Sequence, residues 1–311
     1  MRSSIIIGSR GSDLALWQSN FIKSRLEALY PEITISIVII KTTGDKIVDS
    51  PLSLIGGKGA FTAELEEALI KSEVDIAVHS LKDLPTEIHP NLTIAAIPER
   101  ADVRDALLGK FSSIDQLPHA ATIATGSLRR KAQLLAARPD LNIIDIRGNV
   151  PTRIKKLEDN GWDGMLLASA GLVRLSLDDH IKEFISTETI LPAPGQGALA
   201  IECRENDDEL ISLLHALDHA NTRIAAEHER LILHSLGGGC QMPLGTFVSI
   251  TDERATISAC IANTDGSSLL KRTLTTPLSG ITLATLSLAD DLLNSGGTEI
   301  LRTLQQTLNK S

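Results

Sequence analysis

The chain has 311 residues, 42% hydrophobic and 22% charged, a balance that supplies buried cores and excludes disorder as the dominant state. Thirty Lys and Arg against 39 Asp and Glu give a formal net charge of −9, and aromatic residues make up only 3%. A general nucleic-acid or anionic-membrane binder is therefore not expected. No run approaches the roughly 18 consecutive apolar residues of a membrane span. The start, Met1 to Gly8, is too short for a signal h-region, so a cytoplasmic location is expected.

The first two-thirds alternates β-branched runs with amphipathic stretches. Ser4 to Gly8 reads as a strand and Asp13 to Leu29 as a helix that Ser12 caps, with Leu14, Trp17, Phe21 and Ile22 on one face and Pro31 as the stop. Ile33 to Ile40 reads as a strand, Phe61, Leu65, Ala68 and Leu69 as a helical stripe, and Val74 to His79 and Leu92 to Ile97 as strands. This βα alternation predicts a mostly parallel sheet. The polar stretch Pro98 to Asp105 reads as a crossing between domains.

A second βα series follows: strands at Ala121 to Thr125, Asn142 to Ile146 and Gly164 to Ala168, and helices at Ser127 to Ala137 and Val150 to Asn160, the latter with Pro151 in its first turn. Leu191 to Gly197, with two prolines and two glycines, is a second hinge candidate. After it, Ala198 to Cys203 reads as a strand that fits either sheet. Helices from Asp208 to Leu236, strands at Thr246 to Ile250, Ala255 to Ala262 and Ser268 to Leu274, and helices at Thr282 to Leu293 and Glu299 to Leu308 predict a small α+β domain at the end.

Cys203, Cys240 and Cys260 form no CxxC pair, and His215 with His219 is the one helix-compatible i,i+4 histidine pair, on a polar segment; no metal site is expected. Cys203 and Cys260 lie among apolar strand residues and read as buried hydrophobes. Cys240, after Gly237-Gly238-Gly239 and before Pro243, reads as an exposed tip suited to covalent attachment. Ser53 to Phe61 holds a Gly-Gly-Lys-Gly run, but Gly59 follows Lys58 where a phosphate loop needs Ser or Thr. It reads as a flexible loop carrying Lys58, or as a plain turn.

Polar residues cluster just after the predicted strands: Arg10 and Ser12, then Ser80, Lys82 and Asp83, then Thr125 and Ser127, then Arg147. Open α/β sheets bind ligands outside the carboxyl ends of their strands, so two facing sheets would enclose a cleft lined by these groups; ordinary loop polarity is the plain alternative. Arg129 and Arg130 fall in the first turn of a helix, against the positive end of its dipole, where an anion should offset them. From Ile123 to Arg174 nine Lys/Arg face five Asp/Glu, a local excess of four positive charges that leaves −13 on the rest of the chain. That concentration suits a small polyanion better than a long polymer. Asp83 would be the single acid among many cations in such a cleft, able to stabilise a cation or move a proton, or else a simple surface ion pair.

Five motifs in this order resemble the porphobilinogen deaminase (hydroxymethylbilane synthase) family over essentially the whole chain. They are Gly8-Ser9-Arg10-Gly11-Ser12 with Leu14-Ala15-Leu16-Trp17-Gln18; Gly56-Gly57-Lys58-Gly59; His79-Ser80-Leu81-Lys82-Asp83-Leu84-Pro85; Gly126-Ser127-Leu128-Arg129-Arg130; and Gly238-Gly239-Cys240-Gln241, with Glu229-Arg230 upstream. The resemblance implies an α/β fold with two periplasmic-binding-protein-like βα domains around a cleft and a small C-terminal α+β domain. With the hinges above, the expected domains are 1–98 with 198–217, 99–197, and 218–311. It implies an enzyme, a transferase that joins four porphobilinogen molecules head to tail into hydroxymethylbilane, on the route to haem and other tetrapyrroles, releasing ammonia at each addition. The chain grows on a covalent dipyrromethane primer, one per chain, held by Cys240 as a thioether.

The same resemblance makes Asp83 the catalytic carboxylate. It places Ser80, Lys82, Asp83, Thr125, Ser127, Arg129 and Arg130 on the primer, and Arg10, Ser12, Lys58, Arg147, Arg153, Arg174 and Gln196 on substrate. A monomer with porphobilinogen as its small-molecule partner, and with neither nucleic acid nor membrane, is expected. Met242, Gly126 and Leu54 depart from the family pattern, where a smaller branched residue, a common serine and, in some members, a lysine stand. The alternatives are a two-lobed, non-catalytic binding protein for a small polyanion and a nucleic-acid module built on the basic domain.

Overall fold

The computed structural model describes residues 2–46, 61–237 and 242–308. The elements are, in chain order, β1 (Ser4–Ser9), α1 (Asp13–Leu29), β2 (Thr34–Ile39), α2 (Thr43–Lys46), α3 (Ala63–Ile70), β3 (Ile76–Ser80), β4 (Leu92–Ala96), β5 (Asp105–Gly109), β6 (Thr122–Ala124), α4 (Leu128–Ala137), β7 (Asn142–Ile144), α5 (Val150–Asn160), β8 (Gly164–Ala168), α6 (Ser169–Arg174) and β9 (Ile181–Ile185). They continue with β10 (Leu199–Arg204), α7 (Asp208–Leu214), α8 (Ala220–Ser235), β11 (Leu244–Thr251), β12 (Arg254–Ala262), β13 (Leu269–Pro277), α9 (Ile281–Leu292) and α10 (Thr298–Leu308). The chain divides into two compact units, Met1–Ala101 with Gly197–Ile224, and Asp102–Gln196 with Ala225–Ser311.

The first unit holds a five-stranded sheet in the order β2-β1-β3-β10-β4. β1 runs parallel to β2 and β3, whereas β10 is antiparallel to both β3 and β4, so four strands point one way and β10 alone is reversed. Alternation along each strand splits its side chains between two cores. Ile5, Ile7, Ile76, Val78 and Ile201 pack with Ile22 and Leu26 of α1 on one face, and Ala77 and Leu92 pack with Leu65 and Leu69 of α3 on the other. A strand that fitted either sheet by its sequence thus lies in the first, between β3 and β4.

The second unit repeats the plan. Its sheet runs β7-β6-β8-β5-β9, with β6 parallel to β7 and β8 and with β5 antiparallel to β8 and β9. Leu107, Ile123 and Leu166 meet Leu134 of α4 on one face; Ala106, Leu108, Met165 and Leu167 meet Ile154 and Leu157 of α5 on the other. A three-stranded antiparallel sheet, β11-β12-β13, also belongs to this unit, with α9 against it. Its start is tied to the segment before β10: Thr246 N–H donates to the Pro192 carbonyl at 2.9 Å. A Cβ on Gly245 would stand 2.7 Å from Leu191 Cβ, so only glycine fits there.

Several expectations need correction. The crossing read from Pro98 to Asp105 ends one residue earlier, because Asp105 opens β5, a strand the polar run concealed. α6 and β9 are likewise additional to the expected elements. His215 and His219 do not share a helix: His215 begins a 3-10 turn and Asp218 after it is extended, so the i,i+4 geometry is absent. Among the described residues no helix is long and apolar enough to cross a membrane.

Candidate active site

In the first unit the expected residues gather at the carboxyl ends of β1 and β3, which lie side by side and point the same way. Past β1, the Arg10 guanidinium lies 4.2 Å from the centre of the Phe61 ring, a cation–π contact that fixes the head of a long, otherwise mobile side chain. Ser12 caps α1, its hydroxyl accepting from Ala15 N–H at 3.4 Å. Past β3, Ser80 is braced from α1: buried Gln18 donates its side-chain amide to Ser80 Oγ at 2.7 Å. An oxygen that already accepts keeps its own O–H to donate.

Leu81–Asp83 then forms a 3-10 turn. Leu81 is fully buried and its N–H donates to the Ala198 carbonyl at 3.0 Å, which anchors the turn. Lys82 is half-buried, whereas the Asp83 carboxylate is exposed and engages no described side chain. An anchored turn that offers an unengaged carboxylate at the ligand end of an α/β sheet is suited to meeting a cation or an N–H donor.

In the second unit Thr125 and Ser127 follow β6. Thr125 Oγ1 accepts from Ser127 N–H at 3.3 Å, and Ser127 caps α4, accepting from Arg130 N–H at 3.4 Å. Arg129 and Arg130 are 4% and 6% exposed, and the anion that offsets them comes from the chain itself. Asp105, fully buried, receives Arg129 Nη1 at 2.7 Å, Arg130 Nε at 2.9 Å, Arg130 Nη2 at 2.7 Å and Gln196 Nε2 at 2.9 Å. It reaches them because β5 is reversed: the amino end of β5 lies beside the carboxyl ends of β8 and β9. Burial alone would raise the Asp105 pKa, but the two guanidiniums outweigh it and hold the carboxyl well below the usual carboxylate range. Arg129 Nη1 also donates to the Leu191 carbonyl at 2.6 Å and Nη2 to Gln196 Oε1 at 3.4 Å, so both terminal nitrogens are engaged within the protein. Asp83 is therefore not the only acid among the expected cations.

Arg147, after β7, is half-buried and its guanidinium meets no described residue. Arg153, in the first turns of α5, donates from Nε to the Gly148 carbonyl at 2.7 Å. Arg174 closes α6, and burial pushes its pKa down to about 10. Hydroxyls of Thr125 and Ser127, an N-capped helix start and the Arg147 guanidinium make a donor set that fits carboxylates. Gly126 suits this crowding, since a Cβ there would stand 2.7 Å from the Ile146 carbonyl oxygen.

Lys58 and Cys240 lie outside the described residues, as does Leu54. Cys203 and Cys260 are buried and free, and burial pushes their thiols up to about 12 and about 11, which makes them unreactive. Two residues that hold the site, Gln18 and Asp105, were not singled out for these roles in the sequence. Gln18 stood only inside a motif, and Asp105 only as the end of a polar crossing.

Comparison with known proteins matches residues 5–212 to the family model described as "Porphobilinogen deaminase, dipyromethane cofactor binding domain", and residues 223–294 to "Porphobilinogen deaminase, C-terminal domain". Porphobilinogen deaminase of Syntrophotalea carbinolica is 46% identical over 98% of this chain and 97% of its own. That of Chloroherpeton thalassium is 49% identical over 88% of each. Among solved structures, the periplasmic VFT2 domain of Bordetella pertussis BvgS aligns over 69% of this chain and 86% of its own, with 13% identity and a TM-score of 0.41.

Proposed function

The chain belongs to the porphobilinogen deaminase family, and from that premise we propose that it condenses four porphobilinogen molecules head to tail into hydroxymethylbilane, releasing one ammonia at each step. The observation that carries the reading is Asp83, an exposed carboxylate on an anchored turn that engages no described side chain, in a chain whose other expected site residues, Gln196 and Cys240 apart, are cations and hydroxyls. A non-catalytic polyanion-binding protein would have no use for that carboxylate.

Each substrate ring carries an acetate and a propionate. Arg10, Ser12, Lys82, Arg147, Arg153 and Arg174 supply cations and donors to hold them, and the hydroxyls of Ser80, Thr125 and Ser127 orient them by donated hydrogen bonds. Arg129, Arg130 and Gln196 act with them, braced on Asp105. As ammonia leaves, positive charge spreads over the substrate pyrrole. The Asp83 carboxylate accepts from the ring N–H and stabilises that charge where it develops, then assists the proton transfers that restore aromaticity. A dipyrromethane primer, when bound, supplies the electron-rich terminal ring to which each unit adds. Cys240 is its anchor, and Lys58 joins the cations that bind substrate.

A cytoplasmic monomer fits these features. Division into 1–98 with 198–217, 99–197 and 218–311 draws support for its last boundary from separate family matches to 5–212 and 223–294, and for its first two from the division of the chain after Ala101 and before Gly197.

The test is turnover. Purified protein given porphobilinogen is expected to release four ammonia per hydroxymethylbilane formed. Asp83→Asn should lower kcat about 100-fold or more, as removal of one charge-stabilising group does elsewhere, while leaving the melting temperature unchanged because the side chain is exposed. Substrate bound but never consumed by the wild type would favour the binding-protein alternative; full turnover by Asp83→Asn would remove Asp83 from the mechanism.

A further inference from the structure

The residue preceding Ser80 carries a second device that the mechanism above leaves unused. His79 (6% exposed) and Glu202 (fully buried) meet across the sheet, His79 Nε2 lying 2.9 Å from Glu202 Oε2. His79 is on β3 and Glu202 on the reversed strand β10. Their register places Glu202 opposite Ala77 and His79 opposite Ala200, so both side chains point to the α3 face. Ser80 points to the other face, where Gln18 holds it. The last two residues of β3 are thus gripped from opposite sides, one residue before the turn that carries Lys82 and Asp83.

This pair is a poor way to stabilise a sheet. Both groups are desolvated, and Glu202 Oε1 is buried with no hydrogen-bond partner among the described residues. Replacing a buried titratable pair by apolar side chains of similar volume is commonly neutral or stabilising, whereas leaving a carboxylate oxygen unpaired is costly. An apolar pair would also suit the face, which is lined by Leu65, Leu69, Ala77 and Leu92.

What the pair does offer is direction. It is the only side-chain hydrogen bond, among the described residues, between β3 and β10. His79 pairs in register with Ala200, near the start of β10, and Glu202 lies four residues along the chain from Ala198, whose carbonyl holds the N–H of Leu81. We propose that His79 and Glu202 are positioning residues for the reaction: their contact fixes β3 against β10 so that the 3-10 turn presents Asp83 at one angle, and stability is given up for that precision. The inference rests on the reading of Asp83 as the catalytic carboxylate.

The test is the double variant His79→Leu/Glu202→Met, purified as primer-loaded holoenzyme, with the single variant Glu202→Gln beside it. A positioning role predicts a melting temperature equal to or above wild type for the double variant, kcat lower by about tenfold or more, and a KM for porphobilinogen within about twofold. Glu202→Gln, which keeps a hydrogen bond to His79, should retain more turnover than the double variant at similar stability. A lowered melting temperature with wild-type kcat would overturn the proposal, as would a raised KM at unchanged kcat. If the double variant does not fold, wild-type kcat in Glu202→Gln together with a lowered melting temperature does the same. Failure of the underlying reading shows separately, as full turnover by Asp83→Asn.

Discussion

Two aspartates carry the residue-scale account, and they do opposite things. Asp83 is exposed and engages no described side chain, so its loss should cost activity and no stability. Asp105 is buried under two guanidiniums and a carboxamide, so its loss should cost stability first. Asp105→Ala leaves both arginines without this partner and is expected to destabilise by about 3–5 kcal/mol, read from denaturant midpoints at constant m. The pH dependence has a definite sign. An unfolded Asp titrates near about 3.9, and Asp105 in the folded chain is depressed below that. Its stabilisation is complete above about pH 4 and drains away as the pH falls toward the folded value. Wild-type melting temperature should therefore fall on acidification below about pH 4, and Asp105→Asn should show a flatter curve over that window; parallel curves would rule out Asp105 as the source. None of this was legible beforehand. Arg129 and Arg130 demanded an anion by their place at a helix start, but the group that answers them lies 24 and 25 residues earlier on a strand, and Gln196 lies 91 residues from it. Local sequence carries no trace of such pairings.

At the scale of elements, what could be read was what depends on near neighbours. α1 with its Ser12 cap, α5 with Pro151 at its start, and β8 all lie where periodicity and capping put them. What could not be read depends on partners far along the chain: that β5 and β10 run against their neighbours, and that β5 exists at all behind a charged first residue. Those reversed strands matter for the site, because each delivers the segment before it to the ligand end of a sheet, bringing Asp105 in one unit and the Ala198 carbonyl in the other. The turns after β6 and β7 are similarly interdependent. Gly126→Ser places a Cβ against the Ile146 carbonyl at 2.7 Å and must displace the turn that carries Arg147. The expected outcome is a KM for porphobilinogen raised several-fold with kcat less affected, and about 1–3 kcal/mol lost from overpacking. Unchanged kinetics would mean that the Arg147 turn tolerates the shift.

For the molecule as a whole, one strand plan is used twice, four strands pointing one way with a reversed strand next to the edge, and a small antiparallel sheet follows. The α/β class and the order of its parts were legible because βα alternation is a repeated local signal that changes character after Gly239. Charge is divided as well: the excess of cations between Ile123 and Arg174 falls within the second unit, and Asp83 falls within the first. A chain of net −9 that concentrates its cations in this way is built for a small polyanion whose carboxylates accumulate as it grows. Such a product stays with the enzyme through four additions only if it is tethered; Cys203 and Cys260 are buried with raised thiol pKa values, which leaves Cys240, the cysteine of the glycine-rich motif, as the expected anchor. The central claim is thus a covalent one, and the intact mass of the purified protein tests it most directly, read beside Cys240→Ser and Cys240→Ala. The account predicts an excess over the polypeptide equal to two deaminated pyrrole units, absent from both variants. A bare polypeptide mass that gains nothing after incubation with porphobilinogen would contradict it.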